Sequence, residues 1–157
     1  MSGNTKASLD QNKQVVRRIW SELVNGERVG SLEELVSHDF VDHTPLPGLS
    51  PDLEGLQTRL TVLHHAFPDF QSKILDVTAE DDKVVVLVSS SGTHLNSFLG
   101  EVPSQKRWQI MEIHILRLAE GKLVEHWGIP DFFGMLEQLG MVDAPWQTSV
   151  AESATAS

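Results

Sequence analysis

The sequence predicts an α+β fold in which a cone-shaped, curved antiparallel sheet wraps around a helix hairpin and leaves a single pocket. Three observations support this fold class. Apolar residues recur at helical spacing up to Phe67, Val- and Ile-rich segments follow Pro68, and one more helical pattern closes the chain near Leu139. Helices collected on one face of an antiparallel sheet form an α+β layer, and we expect the pocket between helices and sheet.

Three helices are predicted before the sheet. The first spans Asp10–Asn25, where apolar residues form one stripe, and ends at Gly26. A short second helix has Ser31 as its N-cap and turns Val36 inward. The third begins at Ser50-Pro51, with serine as the N-cap and proline at the first helical position. Its apolar residues are spaced alternately three and four apart: Leu53, Leu56, Leu60, Leu63 and Phe67.

Strands and tight turns make up most of the remaining chain. Two turns, at Glu80–Asp82 and Ala119–Gly121, join neighbouring strands as antiparallel hairpins. A closing helix spans Asp131–Leu139, and Asp131 is expected to cap it rather than to take part in chemistry. The predicted strands are Phe40–Asp42, Phe70–Thr78, Lys83–His94, Lys106–Leu118 and Lys122–Ile129.

Composition limits the classes of function. The chain has 157 residues, which predicts one domain over residues 10–147 between disordered ends at residues 1–9 and 148–157. A net charge of −10 disfavours nucleic acid and anionic membranes as partners. The absence of cysteine excludes a thiol nucleophile, and no apolar run approaches the ~20 residues that span a bilayer. Without a signal-peptide pattern, a cytoplasmic protein is expected.

Candidate catalytic side chains lie on two adjacent strands. Successive residues of a strand alternate faces, so Glu112 and His114 share one face with Trp108 and Ile110. On the next strand His126 shares a face with Val124 and Gly128, while Leu123, Glu125 and Trp127 lie opposite. The tight turn makes the strands neighbours, so Glu112, His114 and His126 converge if both polar faces look inward. A carboxylate beside imidazoles in an apolar pocket suits proton transfer.

Other interpretations of these polar residues stay open. The Glu and His residues could form an ion pair on the outer face of the sheet. Asp42 and His43 could face the pocket mouth or cap a turn. No spacing among Glu112 and the histidines resembles a metal-binding motif, and no nucleotide-binding or nucleophile-elbow motif is present. No metal is therefore predicted.

Several segments resemble the SnoaL-like polyketide cyclases, part of the nuclear-transport-factor-2-like and ketosteroid-isomerase-like folds. They include NKQVVRRIWSELVNGE, LEELVSHDFVDHTPLPGL, FPDFQSKILDVTAEDDKVVV, GTHLNSFLG and EIHILRLAEGKLVEHWGIPDFFGMLEQLG. The resemblance covers about residues 11–140, and the segment containing EHW is its most specific part. It implies a cofactor-free intramolecular aldol reaction that closes a ring of a hydrophobic polycyclic substrate. It also implies a homodimer or higher oligomer, with Trp127 on the interface.

The resemblance also implies roles for particular residues. In the family pattern an aspartate base follows the pocket histidine by two residues, but here that position is Gly128. We therefore expect Glu112, His114 and His126 to be catalytic, with Glu112 or His114 replacing the aspartate. Two other functions stay open: a component of polyketide hydroxylation with the same fold, and a non-catalytic binding domain. The residues expected to contact substrate are Trp20, Phe40, His43, Trp108, Ile110 and Gly128.

Overall fold

The computed structural model describes residues 5–144 and 150–155, and it confirms the α+β class. Its central feature is one curved, unclosed sheet of five strands in the order β1-β5-β4-β3-β2. Strands β2 to β5 form the predicted antiparallel meander. The strands are β1 (Val36–Asp42), β2 (Gln71–Glu80), β3 (Lys83–Thr93), β4 (Arg107–Ala119) and β5 (Lys122–Pro130).

The predicted helices are present, with shifted ends. Helix α1 continues directly into a π-helical segment, and a 3₁₀ turn at Val29–Ser31 precedes α2. Helix α3 is capped by Asp52, whose carboxylate accepts from the Gly55 amide, and not by Ser50 as predicted. The helical segments are α1 (Lys6–Arg18), the π-helix (Ile19–Val24), α2 (Leu32–Leu35), α3 (Leu53–Ala66), α4 (Phe132–Gln138) and α5 (Val150–Thr155).

Strand β1 adds one parallel pair to the antiparallel sheet that was predicted. It starts at Val36, four residues before the predicted strand, and pairs in parallel with β5. The chain leaving β1 crosses over through α3 and the meander before β5 begins, so the two strands can run in the same direction. This pairing places Asp42 directly beside His126.

An irregularity in β5 corrects a second prediction. Leu123 was expected on the outer face with Glu125, yet its side chain is only 3% exposed. The register shifts between Arg117 and Leu118, so that Val124 is an extra residue in β5. One extra residue reverses the alternation of faces, which brings Leu123 to the same side as His126.

Helical segments lie near both ends of the described chain, within or next to the segments predicted as disordered. Helix α1 begins at Lys6 because the Thr5 side chain accepts from the Ser8 amide as an N-cap. Helix α5 lies in the predicted disordered tail, where alanine and glutamate favour helix. The predictions of disorder for residues 1–4, 148–149 and 156–157 fall outside the described residues. None of the described helices is long and apolar enough to cross a membrane.

The core has two apolar clusters. The larger one packs α1 and the π-helix against the sheet around Val16, Trp20 and Val86, with the apolar face of α3 beside it. The smaller one surrounds Phe67 and Trp108 and is closed by Met135 of α4. Side chains from both clusters line the same pocket.

Candidate active site

The pocket between helices and sheet has a volume of about 90 Å³. Its walls are almost entirely apolar, and its polar groups come from β4, β5 and α3. Most of the predicted site residues lie in its wall: Trp20, Phe40, Trp108, Ile110, Glu112, His114 and His126. Gly128 lies against the rings of His114 and His126, which would be the nearest atoms to a Cβ at that position.

His43, predicted as a substrate contact, lies outside the wall of this pocket. Its ring stacks on Trp127, with centroids 4.4 Å apart, and its Nε2 is 3.0 Å from Glu125 Oε1. Glu125 and Trp127 belong to the face of β5 opposite His126. His43 follows Asp42 in sequence, and in extended backbone two consecutive side chains point to opposite sides.

The pocket polar groups form a continuous chain of hydrogen bonds. Asp42 Oδ1 is 3.0 Å from His126 Nδ1, and His126 Nε2 is 2.8 Å from His114 Nδ1. His114 Nε2 is then 3.1 Å from Glu112 Oε2. All four side chains are largely buried. We call this set the carboxylate–imidazole chain.

Hydrogen bonding fixes the number of protons in this chain. Each of the three gaps needs one proton, because two facing lone pairs repel each other. If Asp42 and Glu112 are both ionised, His126 donates from Nδ1 and accepts at Nε2, while His114 donates from both nitrogens. His114 is then an imidazolium between His126 and the Glu112 carboxylate. The carboxylate–imidazole chain as a whole carries a net charge of −1.

Strand pairing and one glycine make this contact possible. Asp42 and His126 are paired across β1 and β5, and His114 pairs with Gly128 across β4 and β5. A Cβ atom on Gly128 would lie 2.7 Å from His114 Nδ1 and 3.0 Å from His126 Nε2. These are the two atoms of the hydrogen bond between the imidazoles. The absence of a side chain at position 128 therefore gives the two rings the space to meet.

The Glu112 end of the chain continues into the core. Ser90 Oγ lies 3.0 Å from Glu112 Oε2 and 2.9 Å from Ser72 Oγ, and the Trp20 indole N–H donates to Ser72 at 2.9 Å. The Trp20 ring also meets the His114 ring edge-on, with centroids 5.1 Å apart. Trp20 is held there by the π-helix, a local distortion often found at functional sites.

The electrostatics keep the carboxylates charged despite their burial. Burial would raise the pKa of Glu112, but its bonds to His114 and Ser90 and the positive charge of Arg59 hold that pKa below its ordinary value. Burial likewise opposes ionisation of Asp42, and His126 lowers its pKa. Burial lowers the pKa of His126 more than Asp42 raises it, which favours neutral His126. These directions agree with His114 as the positive member of the carboxylate–imidazole chain.

Sequence reasoning missed part of this site. It left the role of Asp42 open and did not consider Arg59, Ser72 or Ser90. Arg59 lies on the pocket wall between Leu56 and Leu63, at the helical spacing of the apolar stripe of α3. A charged residue within that stripe was a signal in the sequence that could have identified it.

The carboxylate–imidazole chain is not arranged as a metal site. Within residues 5–144 and 150–155, no group of three or more His, Asp or Glu side chains is placed to hold a metal ion. The imidazole nitrogens point at one another and at the carboxylates, so their lone pairs do not converge on a common point.

Comparison with known proteins identifies the family. Residues 14–139 match the SnoaL-like polyketide cyclase family, and the chain belongs to it. This confirms the resemblance seen in the sequence and the nuclear-transport-factor-2-like architecture. It also places the chain among enzymes of the cyclase and isomerase type.

Individual relatives extend this result. The aklanonic acid methyl ester cyclase DauD of Streptomyces sp. (strain C5) is 26% identical over 139 residues, covering 85% of this chain and 83% of DauD. IdmH from Streptomyces antibioticus, to which polyketide cyclase activity has been attributed, is 28% identical with a TM-score of 0.73, covering 83% of this chain and 99% of IdmH. AclR from Streptomyces galilaeus, to which hydroxylase activity has been attributed, is 25% identical with a TM-score of 0.79, covering 94% and 92%.

Proposed function

We propose that this enzyme closes a ring of a hydrophobic carbonyl compound by cofactor-independent acid–base chemistry, with Glu112 as the base. One observation carries the proposal. Both bonds to the Glu112 carboxylate, from His114 and from Ser90, go to Oε2. No described residue bonds Oε1, while the Glu112 side chain lines the pocket. That oxygen is available to a proton of a bound molecule.

The reaction uses the carboxylate–imidazole chain in a defined order. Oε1 of Glu112 removes a proton from the carbon next to a substrate carbonyl, and the electron pair of the C–H bond forms an enolate. The enolate carbon attacks a second carbonyl of the same molecule, which forms the ring bond and an alkoxide. The alkoxide takes the proton back from Glu112, so the product is an isomer of the substrate.

The other members of the chain position the base. The His114 imidazolium keeps Glu112 ionised and oriented, and Asp42 fixes the tautomer in which His126 accepts from His114. His126 and Asp42 are thus positioning residues. This arrangement replaces an aspartate at position 128, where the structure has no room for a side chain beside the paired imidazoles.

The apolar walls favour an aromatic or polycyclic substrate. The cavity of about 90 Å³ is smaller than the ~150 Å³ of a cavity that binds benzene. A polycyclic compound therefore needs the pocket walls to move apart, or places only its reacting ring inside. Since DauD is an aklanonic acid methyl ester cyclase, this ester is our first candidate substrate.

Turnover of aklanonic acid methyl ester by the purified protein tests the proposal. We expect a product of unchanged mass and altered retention, formed without added cofactor. Glu112→Gln should reduce the rate by about 10²–10⁴-fold, the range that a positioned base contributes. Glu80→Gln, an exposed glutamate on β2, is the matched control and should not change the rate.

Other outcomes distinguish the alternatives. A product that gains oxygen only with a reductant present would favour a hydroxylation role, which the similarity to AclR makes the second candidate. Tight binding without turnover of any tested carbonyl polyketide would favour a binding domain. Full activity of the Glu112→Gln variant would refute Glu112 as the base.

We further propose that two copies associate through the outer face of the sheet. Met111, Ile113 and Ile129 are 46%, 51% and 69% exposed, and Ile113 pairs with Ile129 across β4 and β5. Exposed apolar side chains on adjacent strands form a patch typical of an interface. Ile113→Lys should shift the protein to a monomer in sedimentation velocity, whereas Val102→Lys, exposed outside the sheet, should not. A wild-type monomer at all concentrations would refute a dimer.

A further inference from the structure

Arg59 is the one pocket-wall residue whose positive charge has no hydrogen-bonded counterpart in the described part of the chain. It lines the cavity from α3, among Leu56, Leu60 and Leu63. Its side chain forms no hydrogen bond or ion pair with another described residue. Arg59 is half-buried, and the five N–H donors of its guanidinium are available to a molecule in the cavity.

The surroundings of Arg59 are electrically asymmetric. Across the pocket lies the carboxylate–imidazole chain, whose net charge is −1. The positive charge of Arg59 acts on three of its members, since it lowers the pKa values of Asp42, Glu112 and His126. A molecule in the cavity therefore sits between a base on the sheet and a cation on the helix.

We propose that Arg59 donates hydrogen bonds to the oxyanion that forms on the substrate carbonyl when Glu112 removes the adjacent proton. This inference rests on the proposed function. As the C–H bond breaks, a proton moves to Glu112 Oε1 and the negative charge moves from the carboxylate to the carbonyl oxygen. Arg59 stabilises that charge with preorganised N–H groups, as an oxyanion hole does.

The proposal predicts which ligands the pocket prefers. An aromatic ring with an ionised oxygen resembles the enolate, so the phenolate form of such a compound should bind better than the phenol. 2-Naphthol is a suitable probe, because its neutral and anionic forms have different absorbance spectra and the protein does not consume it. The measured quantity is the fraction of bound naphthol that is anionic at pH 7.

We expect wild-type protein to raise that fraction. A charge-assisted hydrogen bond of the usual strength should favour naphtholate over naphthol by roughly 10- to 100-fold. Arg59→Met should abolish the preference, and Arg59→Lys should retain part of it as a point charge. Arg17→Met is the matched control, since it removes the same charge from an exposed position on α1 outside the pocket wall. Circular dichroism and thermal melting verify that each variant is folded.

Two results would overturn the inference. One is an equal anionic fraction of bound naphthol in wild type and in Arg59→Met. The other is an equal decrease of that fraction in Arg59→Met and in Arg17→Met. Neither depends on turnover, so this test can fail while Glu112 remains the base. Conversely, an inactive protein that still prefers naphtholate through Arg59 would refute the proposed reaction and leave the oxyanion site standing.

Discussion

Replacing Gly128 by alanine tests the feature on which the carboxylate–imidazole chain depends. The added Cβ would lie 2.7 Å from His114 Nδ1 and 3.0 Å from His126 Nε2, closer than unstrained contacts allow. Both atoms belong to a hydrogen bond of 2.8 Å, so the methyl group must push the rings apart. The backbone at Gly128 cannot shift easily, because this residue of β5 is paired with His114 of β4 in the sheet.

The expected cost follows from two losses and one gain. A hydrogen bond that involves a charged group contributes about 1.5–3 kcal/mol, and overpacking a core costs about 1–3 kcal/mol. Alanine recovers about 0.5–1 kcal/mol of backbone entropy relative to glycine in a strand. The net loss of unfolding free energy is about 2–5 kcal/mol, which lowers the melting temperature of a chain this size by roughly 4–20 °C.

Urea unfolding followed by tryptophan fluorescence measures the free energy directly, and turnover measures the chemistry. Gly30→Ala is the matched control, because no atom lies within 4 Å of its added Cβ and the position is exposed. We expect Gly128→Ala to lose both stability and turnover while Gly30→Ala keeps both. A Gly128→Ala protein as stable and as active as wild type would show that the imidazoles do not need to meet.

Three further predictions concern the same region. Asp42→Asn should lower turnover by roughly 10-fold, because it weakens one charged hydrogen bond. The acidic limb of the pH–rate profile should also change. An unchanged profile would contradict a positioning role for Asp42. Folding lowers the pKa values of Asp42, Glu112 and His126, so these three groups bind more protons in the unfolded chain, and through them acid destabilises the fold. The contribution of His126 to the free energy of unfolding is complete above about pH 6.5 and declines below it. The contributions of the two carboxylates decline below about pH 4.5. A melting temperature that stayed constant from pH 7 to pH 4 would refute this assignment. Asp131→Asn should preserve the N-cap of α4 and change the free energy of unfolding little. Asp131→Ala should lower it by about 1 kcal/mol in urea unfolding. Equal losses of stability in the two variants would argue against a capping role.

The antiparallel meander was predictable because hydrophobic alternation and tight turns are local signals. The same alternation placed Glu112 and His114 on one face of β4, and the structure brings both to His126. The alternation of side chains predicts the correct face at these positions because the register of β4 with β3 is unbroken between Trp108 and Arg117.

The remainder of the site depends on non-local information. Local sequence does not show that β1 pairs in parallel with β5, and this pairing is what brings Asp42 to His126. The extra residue at Val124 is equally hidden, because a bulge changes which face a residue occupies without changing composition. The position of His43 outside the pocket wall has a related origin, since the orientation of its side chain depends on where β1 ends.

The parallel pairing of β1 with β5 also has a consequence for how the protein is made. Asp42 and His126 are 84 positions apart, and the last strand of the sheet must be available before they can meet. A nascent chain that has reached only β4 contains Asp42, Glu112 and His114, but not His126, which joins Asp42 to His114. Contacts between residues far apart in sequence slow folding, and β1 stays unpaired until β5 is available. The carboxylate–imidazole chain therefore cannot form before β5 is synthesised, and we expect a chain shortened before β5 to have no turnover.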